Sequence, residues 1–238
     1  MMHGSLLESL LTSRGAEGLG GRWLGVYPAV VSDIKDPDGI GRVKVTLPWA
    51  PDTGGDRYEA WARIATLMGG KNRGSWFIPD VDDEVLVVFE GGDVRRPYVI
   101  GGLWNGKDTP PESMDGAGRN AKKVLRSRNG VKITLDDSDG TEQFIAETPG
   151  GQKITLKDGA GSIELADSNG NSLRMEAGGI TLTTSASLTM NASTVTVNAS
   201  SVTVTGATTL SSTLNVGASI TTPAITSASY TPGAGNIW

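Results

Sequence analysis

The hydrophobic residues in the second half of the chain come in pairs whose members are two positions apart. The pairs run from Ile133 and Leu135 to Val202 and Val204, and the later ones recur every seven or eight residues. Because successive side chains of a strand point to opposite sides, both members of a pair face the same way. Asn-Gly, Asp-Gly and Gly-Gly corners separate many of the pairs. The pattern predicts a repeat of one short strand and one turn over residues 124–238.

The apolar side of such a ribbon must be buried away from water. Exposed apolar faces and open strand edges promote aggregation, so the strands should wind around an axis with their aliphatic side chains inside. A single-chain β-solenoid would meet this requirement, and so would three identical chains wound together. The step of seven to eight residues favours three chains. The predicted trimer core is Ile180, Leu182, Leu188, Met190, Val195, Val197, Val202 and Val204.

The last quarter of the chain carries no charged side chain. Residues 177–238 contain no Asp, Glu, Lys or Arg, and 25 of these 62 residues are Ser or Thr. A disordered linker would not keep valines in phase every seven residues, nor be rich in β-branched Thr and Val. We therefore interpret this part as a rod with Thr, Ser and Asn on its outer surface.

A second pattern occupies residues 22–108. Runs such as "RVKVTLPW", "EAWARIATL", "GSWFIP" and "DEVLVVFEGG" are separated by Gly, Pro and Asp. Five or six short antiparallel strands in so few residues predict a small closed barrel of the OB type. Residues 109–123 are polar, with Pro and Gly, and are interpreted as a linker. The predicted fold is all-β, with the barrel followed by an intertwined triple-stranded β-helix in a homotrimer.

The N-terminal segment, residues 1–21, is predicted to form a short amphipathic helix. Ser5 and Glu8 fit a capping box. The segment is either a frayed tail or a docking peptide for another protein. Its apolar face comprises Leu6, Leu7, Leu10 and Leu11.

Composition excludes several classes of chemistry. The net charge is −5 with no basic run, so we expect no nucleic-acid partner. Cysteine is absent, and the one histidine is His3, so neither a disulfide nor a Ser-His-Asp triad is available. Adjacent carboxylates at 82–83 and 136–137 lie in predicted turns and are interpreted as solvated corners. The sequence has no run of about 18 apolar residues and no classical secretory signal. We expect no catalytic residue, no cofactor and no metal site.

One long motif resembles a known family. The stretch "IPDVDDEVLVVFEGGDVRRPYVIGGLWNGKDTPP" is similar to the end of the OB domain in spike proteins of contractile injection systems, which include phage baseplate assembly protein V and the spike half of VgrG. The resemblance covers residues 22–238, because linker and repeat follow in the same order. The motif positions are Pro79, Asp83, Glu84, Val85, Phe89, Glu90, Gly92, Asp93, Arg96, Pro97, Gly101, Gly102 and Asn105.

The resemblance implies a non-enzymatic homotrimer with an OB collar and a needle. The spike sits at the centre of a baseplate, below the tube, and pierces the target envelope when the sheath contracts. It would be assembled in the producer cytoplasm as part of a phage virion or phage tail-like particle, and would contact the target membrane transiently. No muramidase domain fits the short linker.

The resemblance also implies separate partners. The chain lacks an upstream hub region, so the tube hub is expected to be another protein. Residues 1–21 would dock onto this hub, onto a LysM-type protein or onto another baseplate protein. A His-x-His iron motif is absent, so a separate PAAR-type tip protein is expected on the needle end. Tyr230, Ile237 and Trp238 would contact this cap, plug the end of the trimer core, or do both.

Two alternatives belong to other classes. The barrel could bind a glycan or an oligonucleotide while the repeat serves as a β-solenoid stalk, although no stacking aromatics in a basic groove are evident. The repeat could instead be a β-solenoid enzyme acting on polysaccharide. That enzyme would need clustered acids or a basic catalyst, and from residue 177 onward Tyr230 is the one ionisable side chain.

Overall fold

The computed structural model describes residues 22–51 and 57–228. The chain separates into two compact units, residues 1–187 and 188–238, and each is described by itself. The predicted docking residues Leu6, Leu7, Leu10 and Leu11 lie outside the described residues, and so do the predicted cap contacts Tyr230, Ile237 and Trp238.

The first unit opens with a five-stranded closed barrel. In chain order the strands are β1 (Val26–Asp33), β2 (Val43–Pro51), β3 (Arg57–Ile64), β4 (Gly69–Gly70), β5 (Arg73–Gly74), β6 (Glu84–Phe89) and β7 (Pro97–Gly102). The barrel order is β1-β2-β3-β7-β6, and β4 and β5 pair with each other in a separate hairpin. The pairs are antiparallel except for β3 with β7, which run parallel and close the barrel.

Alternation of small aliphatic residues builds the barrel core. The largest fully buried side chains are Val31 on β1, Val43, Val45 and Leu47 on β2, and Val85 and Val87 on β6. Every second residue of each strand points inward, which is the period that a closed barrel requires. The interior therefore holds side chains and no channel.

Five aromatic rings pack together around one end of the barrel: Trp23, Tyr27, Trp49, Tyr58 and Phe89. Trp49 stacks on Trp23 at 5.3 Å between ring centroids and on Tyr27 at 5.4 Å. The indole Nε1 of Trp49 donates a hydrogen bond of 3.0 Å to the Pro28 carbonyl. The Tyr58 hydroxyl donates to the Val94 carbonyl. These polar anchors allow the rings to pack with their hydrogen-bonding groups satisfied.

The segment "GSWFIP" differs from its prediction as a strand. Only Gly74 of this segment belongs to a strand, and residues 75–79 pair with no barrel strand. The reason is local, because the Ser75 amide donates to the Met68 carbonyl and the Ser75 carbonyl accepts a 2.8 Å bond from the Thr66 hydroxyl. These bonds close the β4–β5 hairpin and leave Trp76 at 76% exposure.

The rest of the first unit is an antiparallel sheet of seven strands in chain order. They are β8 (Lys122–Arg126), β9 (Lys132–Asp136), β10 (Gln143–Glu147), β11 (Lys153–Lys157), β12 (Ser162–Ala166), β13 (Ser172–Glu176) and β14 (Gly179–Thr183). Each strand is five residues long, and tight turns join them. In the β12–β13 turn, Asp167 accepts the backbone amides of Asn169 and Asn171 at 2.8 and 2.9 Å.

The second unit, as far as residue 228, contains no strand within the single chain. All of the residues from 174 to 228 are exposed. The sequence predicted strands here, and backbone amides and carbonyls of a strand need hydrogen-bonding partners. Partners on other chains would supply them. No helix in the described parts of the chain is long and apolar enough to cross a membrane.

Candidate functional site

The seven-stranded sheet has one apolar face, built from two rows of side chains. The strand registers align one residue from each strand in the first row and one from each of β9–β14 in the second. The first row is Leu125, Ile133, Ala146, Ile154, Leu165, Leu173 and Leu182. The second row is Leu135, Phe144, Leu156, Ile163, Met175 and Ile180.

This apolar face has no cover within the chain. Ile163 is 49% exposed, Leu165 51%, Leu182 54% and Ile180 71%. A monomeric protein rarely leaves a contiguous apolar surface of this extent open to water. The two-row face therefore marks a surface that another protein buries.

The opposite face of the sheet is mainly polar, apart from Val124 and Ile145 beside Thr134. Glu164 lies beside Thr155 on one neighbouring strand and Arg174 on the other. At the β8–β9 end, Glu112 from the linker lies 3.8 Å from the Lys132 ammonium and 4.0 Å from that of Lys122. The buried Thr134 lies on this face as well. Water and the linker therefore cover the polar face of the sheet, and the apolar face is left for a partner.

The predicted core residues fall into two groups. Ile180 and Leu182 lie on β14, at the end of the two rows. The remaining six are exposed in the second unit, and the single chain does not bring them together in a sheet: Leu188, Met190, Val195, Val197, Val202 and Val204. Their assignment to a trimer core stays a prediction.

Sequence reasoning missed three members of the apolar face. Phe144 and Ala146 flank Ile145, so three apolar residues in succession hide the alternation. Leu125 was missed for the same reason, because it directly follows the apolar residue Val124. The register resolves each case, because Phe144 pairs with Leu135 and Leu156, both of which lie on the apolar face.

The long motif at residues 78–111 builds the turn between β6 and β7. Phe89 is in the barrel core, and the Gly92 carbonyl accepts a 3.0 Å bond from the Trp23 amide. The Tyr98 hydroxyl donates to Glu90 at 2.7 Å. The Arg95 guanidinium binds Asp93 at 3.0 and 2.9 Å, and this hydrogen bonding lowers the pKa of Asp93 to about 2. Glu90, Asp93 and Arg95 are thus engaged in holding the turn.

A second charged cluster closes the loop between β1 and β2. Asp36 accepts the amides of Asp38, Ile40 and Arg42 and binds the Arg42 guanidinium at 2.7 Å. The Arg42 side-chain hydrogen bonds, followed by those backbone amides, hold the pKa of Asp36 well below its usual range. The carboxylate is saturated by local donors, so its arrangement is that of a structural turn.

The acidic pairs have comparable roles. Asp83 accepts the Asp80 amide at 2.8 Å, and Asp136 accepts the Ser138 amide and hydroxyl at 3.1 and 2.6 Å. Across residues 22–51 and 57–228 no group of three His, Cys, Asp or Glu side chains is placed to hold a metal ion.

Two family models match the chain. Residues 27–104 match the injector OB domain of type VI secretion systems and phage baseplates. Residues 143–209 match the C-terminal trimerisation domain of phage baseplate V. The two ranges together span more than half of the chain; the first coincides with the barrel, and the second covers β10–β14 and the segment after them as far as residue 209. The prediction of an all-β fold with an OB barrel and a trimeric β-structure is confirmed.

Individual relatives are type VI secretion system spike proteins. VgrG1b of Pseudomonas aeruginosa is 32% identical over 127 residues, which are 50% of this chain and 17% of that protein. VgrG5 of the same organism is 38% identical over 133 residues, 52% of this chain and 17% of the relative. VgrG3 of Vibrio cholerae is 31% identical over 114 residues, 45% of this chain and 11% of the relative. The chain matches less than a fifth of the length of each.

The uncovered apolar face now has an explanation, because a trimerisation domain supplies two further copies of it. The chain contains a match to a trimerisation domain, which supports its assembly as a homotrimer. It belongs to the family of phage baseplate V and VgrG-type spike proteins.

Proposed function

We propose that the chain is the non-enzymatic central spike of a contractile injection system, a trimeric needle that pierces the target cell envelope when the sheath contracts. The observation that carries this proposal is the two-row apolar face of β8–β14, which is open in the single chain. Three such faces turned towards one axis would form a closed prism with an aliphatic core. The valine and leucine pairs from Leu188 to Val204 would continue that core along the axis.

Such a prism suits a mechanical task. Small aliphatic side chains interdigitate at high density, and close-packed interiors resist deformation. Backbone hydrogen bonds that are saturated within and between chains leave no edge from which the rod can fray. The five-residue strands and short turns of the sheet provide no hinge.

The ends of the chain would provide the attachments. Residues 1–21 precede the aromatic end of the barrel, where the Trp23 amide bonds to Gly92, so this end would face the tube hub. Leu6, Leu7, Leu10 and Leu11 would dock onto the hub protein or onto a LysM-type or other baseplate protein. Tyr230, Ile237 and Trp238 would seat a PAAR-type tip protein at the opposite end of the chain.

A mechanical role agrees with the chemistry of the described side chains. The carboxylates at Asp36, Asp83, Asp93 and Asp136 accept local hydrogen bonds in turns. A general acid or base must instead be free to meet a substrate. Assembly in the producer cytoplasm and delivery to the target envelope follow from the spike role.

Electron microscopy of particles tests this function. Contractile particles would be purified from producer cells with and without the gene for this chain. We expect a threefold needle below the tube in the first preparation and its loss in the second, with restoration by the gene supplied in trans. Baseplates that keep the same needle after deletion would contradict the proposal.

A further inference from the structure

The two lateral edges of the seven-stranded sheet carry opposite charge. One edge contains the turns β8–β9, β10–β11 and β12–β13, and the other contains the turns β9–β10, β11–β12 and β13–β14. The basic edge is defined by Arg126, Arg128, Lys132 and Lys153, with Glu147 and Asp167 as its acidic members. The acidic edge is defined by Asp136, Asp137, Asp139, Glu142, Asp158 and Glu176, with Lys122, Lys123 and Lys157 as its basic members.

The minority charges on the basic edge are partly neutralised. Asp167 accepts two backbone amides and the Asn171 side-chain amide at 2.7 Å, so it is engaged within its own turn. On the acidic edge, the Lys122 ammonium lies 4.0 Å from Glu112 of the linker. Charges of the majority sign are also neutralised, since Arg128 pairs with Asp80 at 2.8 Å, Lys132 with Glu112 at 3.8 Å and Asp137 with Lys123 at 3.8 Å. Glu147 is the cross-strand neighbour of both Lys132 and Lys153.

Several charges of the majority sign have no counter-ion. Lys153 on the basic edge makes no ion pair with any residue of 22–51 or 57–228, and the same holds for Asp139 and Asp158 on the acidic edge within those ranges. Lys153 and Asp158 are exposed at the ends of β11. These groups are available to a neighbouring molecule.

The symmetry of a trimer brings opposite edges together. A threefold ring uses a head-to-tail interface, in which one patch of each chain meets a different patch of the next. When three sheets turn their apolar faces towards one axis, the basic edge of each sheet adjoins the acidic edge of its neighbour. Rotation about this axis keeps each residue at its own height.

The heights of the charges match when the strands are stacked along that axis. Lys153 is on β11, and Asp158 is in the turn between β11 and β12. With about 4.8 Å between neighbouring strands, the two residues are offset by about half of that spacing. This offset is within the reach of a lysine side chain.

We propose that the basic edge of one chain binds the acidic edge of a second copy, with Lys153 opposite Asp158. This inference rests on the proposed trimeric spike. In the closed ring the edge charges add electrostatic complementarity to the apolar contact, and such complementarity disfavours wrong pairings.

Charge reversal of the full-length chain tests the pairing. One variant reverses the basic edge (Lys153→Glu), one reverses the acidic edge (Asp158→Lys), and a third combines both changes. Lys35→Glu is the matched control, since Lys35 is exposed outside the sheet and its charge change equals that of the basic-edge variant. The readout is the urea concentration at which the trimer is lost, followed by light scattering, while tryptophan fluorescence confirms that each barrel is folded.

We expect each single-edge variant to lose trimer at lower urea than the wild type, by on the order of 10-fold in dissociation constant, since one pair is removed at each of three interfaces. The loss should be largest at about 10 mM salt, where the Debye length is about 30 Å, and small at about 1 M, where it is about 3 Å. The combined variant should lose clearly less than the sum of the two single-edge losses, because it restores opposite charges across the interface. The control should match the wild type throughout.

Two results would overturn the pairing, and they are distinguishable. A wild-type trimer whose combined variant shows the sum of the two single-edge losses would overturn the edge pairing alone, because edges that meet must compensate. A wild-type chain that stays monomeric would overturn both this inference and the spike function on which it rests.

Discussion

Truncation of Leu182 to alanine tests whether the apolar face of the sheet is buried in a trimer core or remains exposed to water. Leu182 is on β14, in the first apolar row, and is 54% exposed in the single chain. Its neighbour Thr181 is also exposed but lies on the polar face of the same strand. Leu182→Ala and Thr181→Ala therefore remove side-chain atoms from adjacent positions on opposite faces, which makes the second variant a matched control for the first.

The magnitude follows from the exposure of Leu182. Full burial of a leucine side chain stabilises by about 1.5–3 kcal/mol, so covering the exposed half contributes about 1–1.5 kcal/mol per chain. The cavity left by Leu→Ala in a packed core raises the cost to about 2–5 kcal/mol per chain. Three copies in one trimer give a loss of at least about 6 kcal/mol. In an isolated chain the same change would cost little, because the side chain is half in water already.

The assay is the urea midpoint of trimer loss at fixed protein concentration, measured by light scattering for the wild type and both variants. We expect a large decrease for Leu182→Ala and a change near zero for Thr181→Ala. Equal, small effects for the two variants would refute the assignment of this face to the trimer core. Equal, large effects would refute the assignment of the opposite face to solvent.

Two further predictions concern the first unit. A Cβ on Gly159, whose φ is +82°, would lie 2.7 Å from the Gly140 carbonyl oxygen, so Gly159→Ala should destabilise the sheet by about 1–3 kcal/mol in urea unfolding. Gly161→Ala is the control, because φ there is +55° but the space is open, and a cost as large as that of Gly159→Ala would exclude the close approach as the cause. Hydrogen bonding from Arg95 lowers the pKa of Asp93 to about 2, so its stabilisation is present above the unfolded pKa of about 3.9 and is lost as the pH falls towards 2. Asp93→Asn should flatten the decline of the barrel's urea midpoint between about pH 5 and about pH 2, followed by tryptophan fluorescence, and an unchanged decline would contradict this linkage.

Period-two alternation was sufficient to predict most of the architecture. Val43, Val45 and Leu47 alternate strictly and all lie in the barrel core. Ile154 and Leu156 were predicted to share a face, and they do. The glycine-containing corners indicated the turns, because those positions need backbone conformations that few other residues adopt.

The remaining features depend on contacts that are distant in sequence. The parallel pairing of Arg63 with Tyr98 closes the barrel, and no local pattern distinguishes it from the antiparallel pairs. The segment at Trp76 was predicted as a strand because its composition is typical of one. The hydrogen bonds at Ser75 hold it beside the β4–β5 hairpin instead, and it pairs with no barrel strand. Residues 184–228 contain no strand in the single chain, since a strand assignment needs a partner and the partners predicted from the repeat are other chains.

The mass of the purified chain in solution, measured by light scattering with and without SDS at room temperature, tests the central claim most directly. The account predicts a mass of three chains of 24.7 kDa each, and one that persists in SDS because the apolar faces and strand edges are closed. A soluble particle with the mass of one chain would contradict it, since the apolar face of β8–β14 would then have no partner.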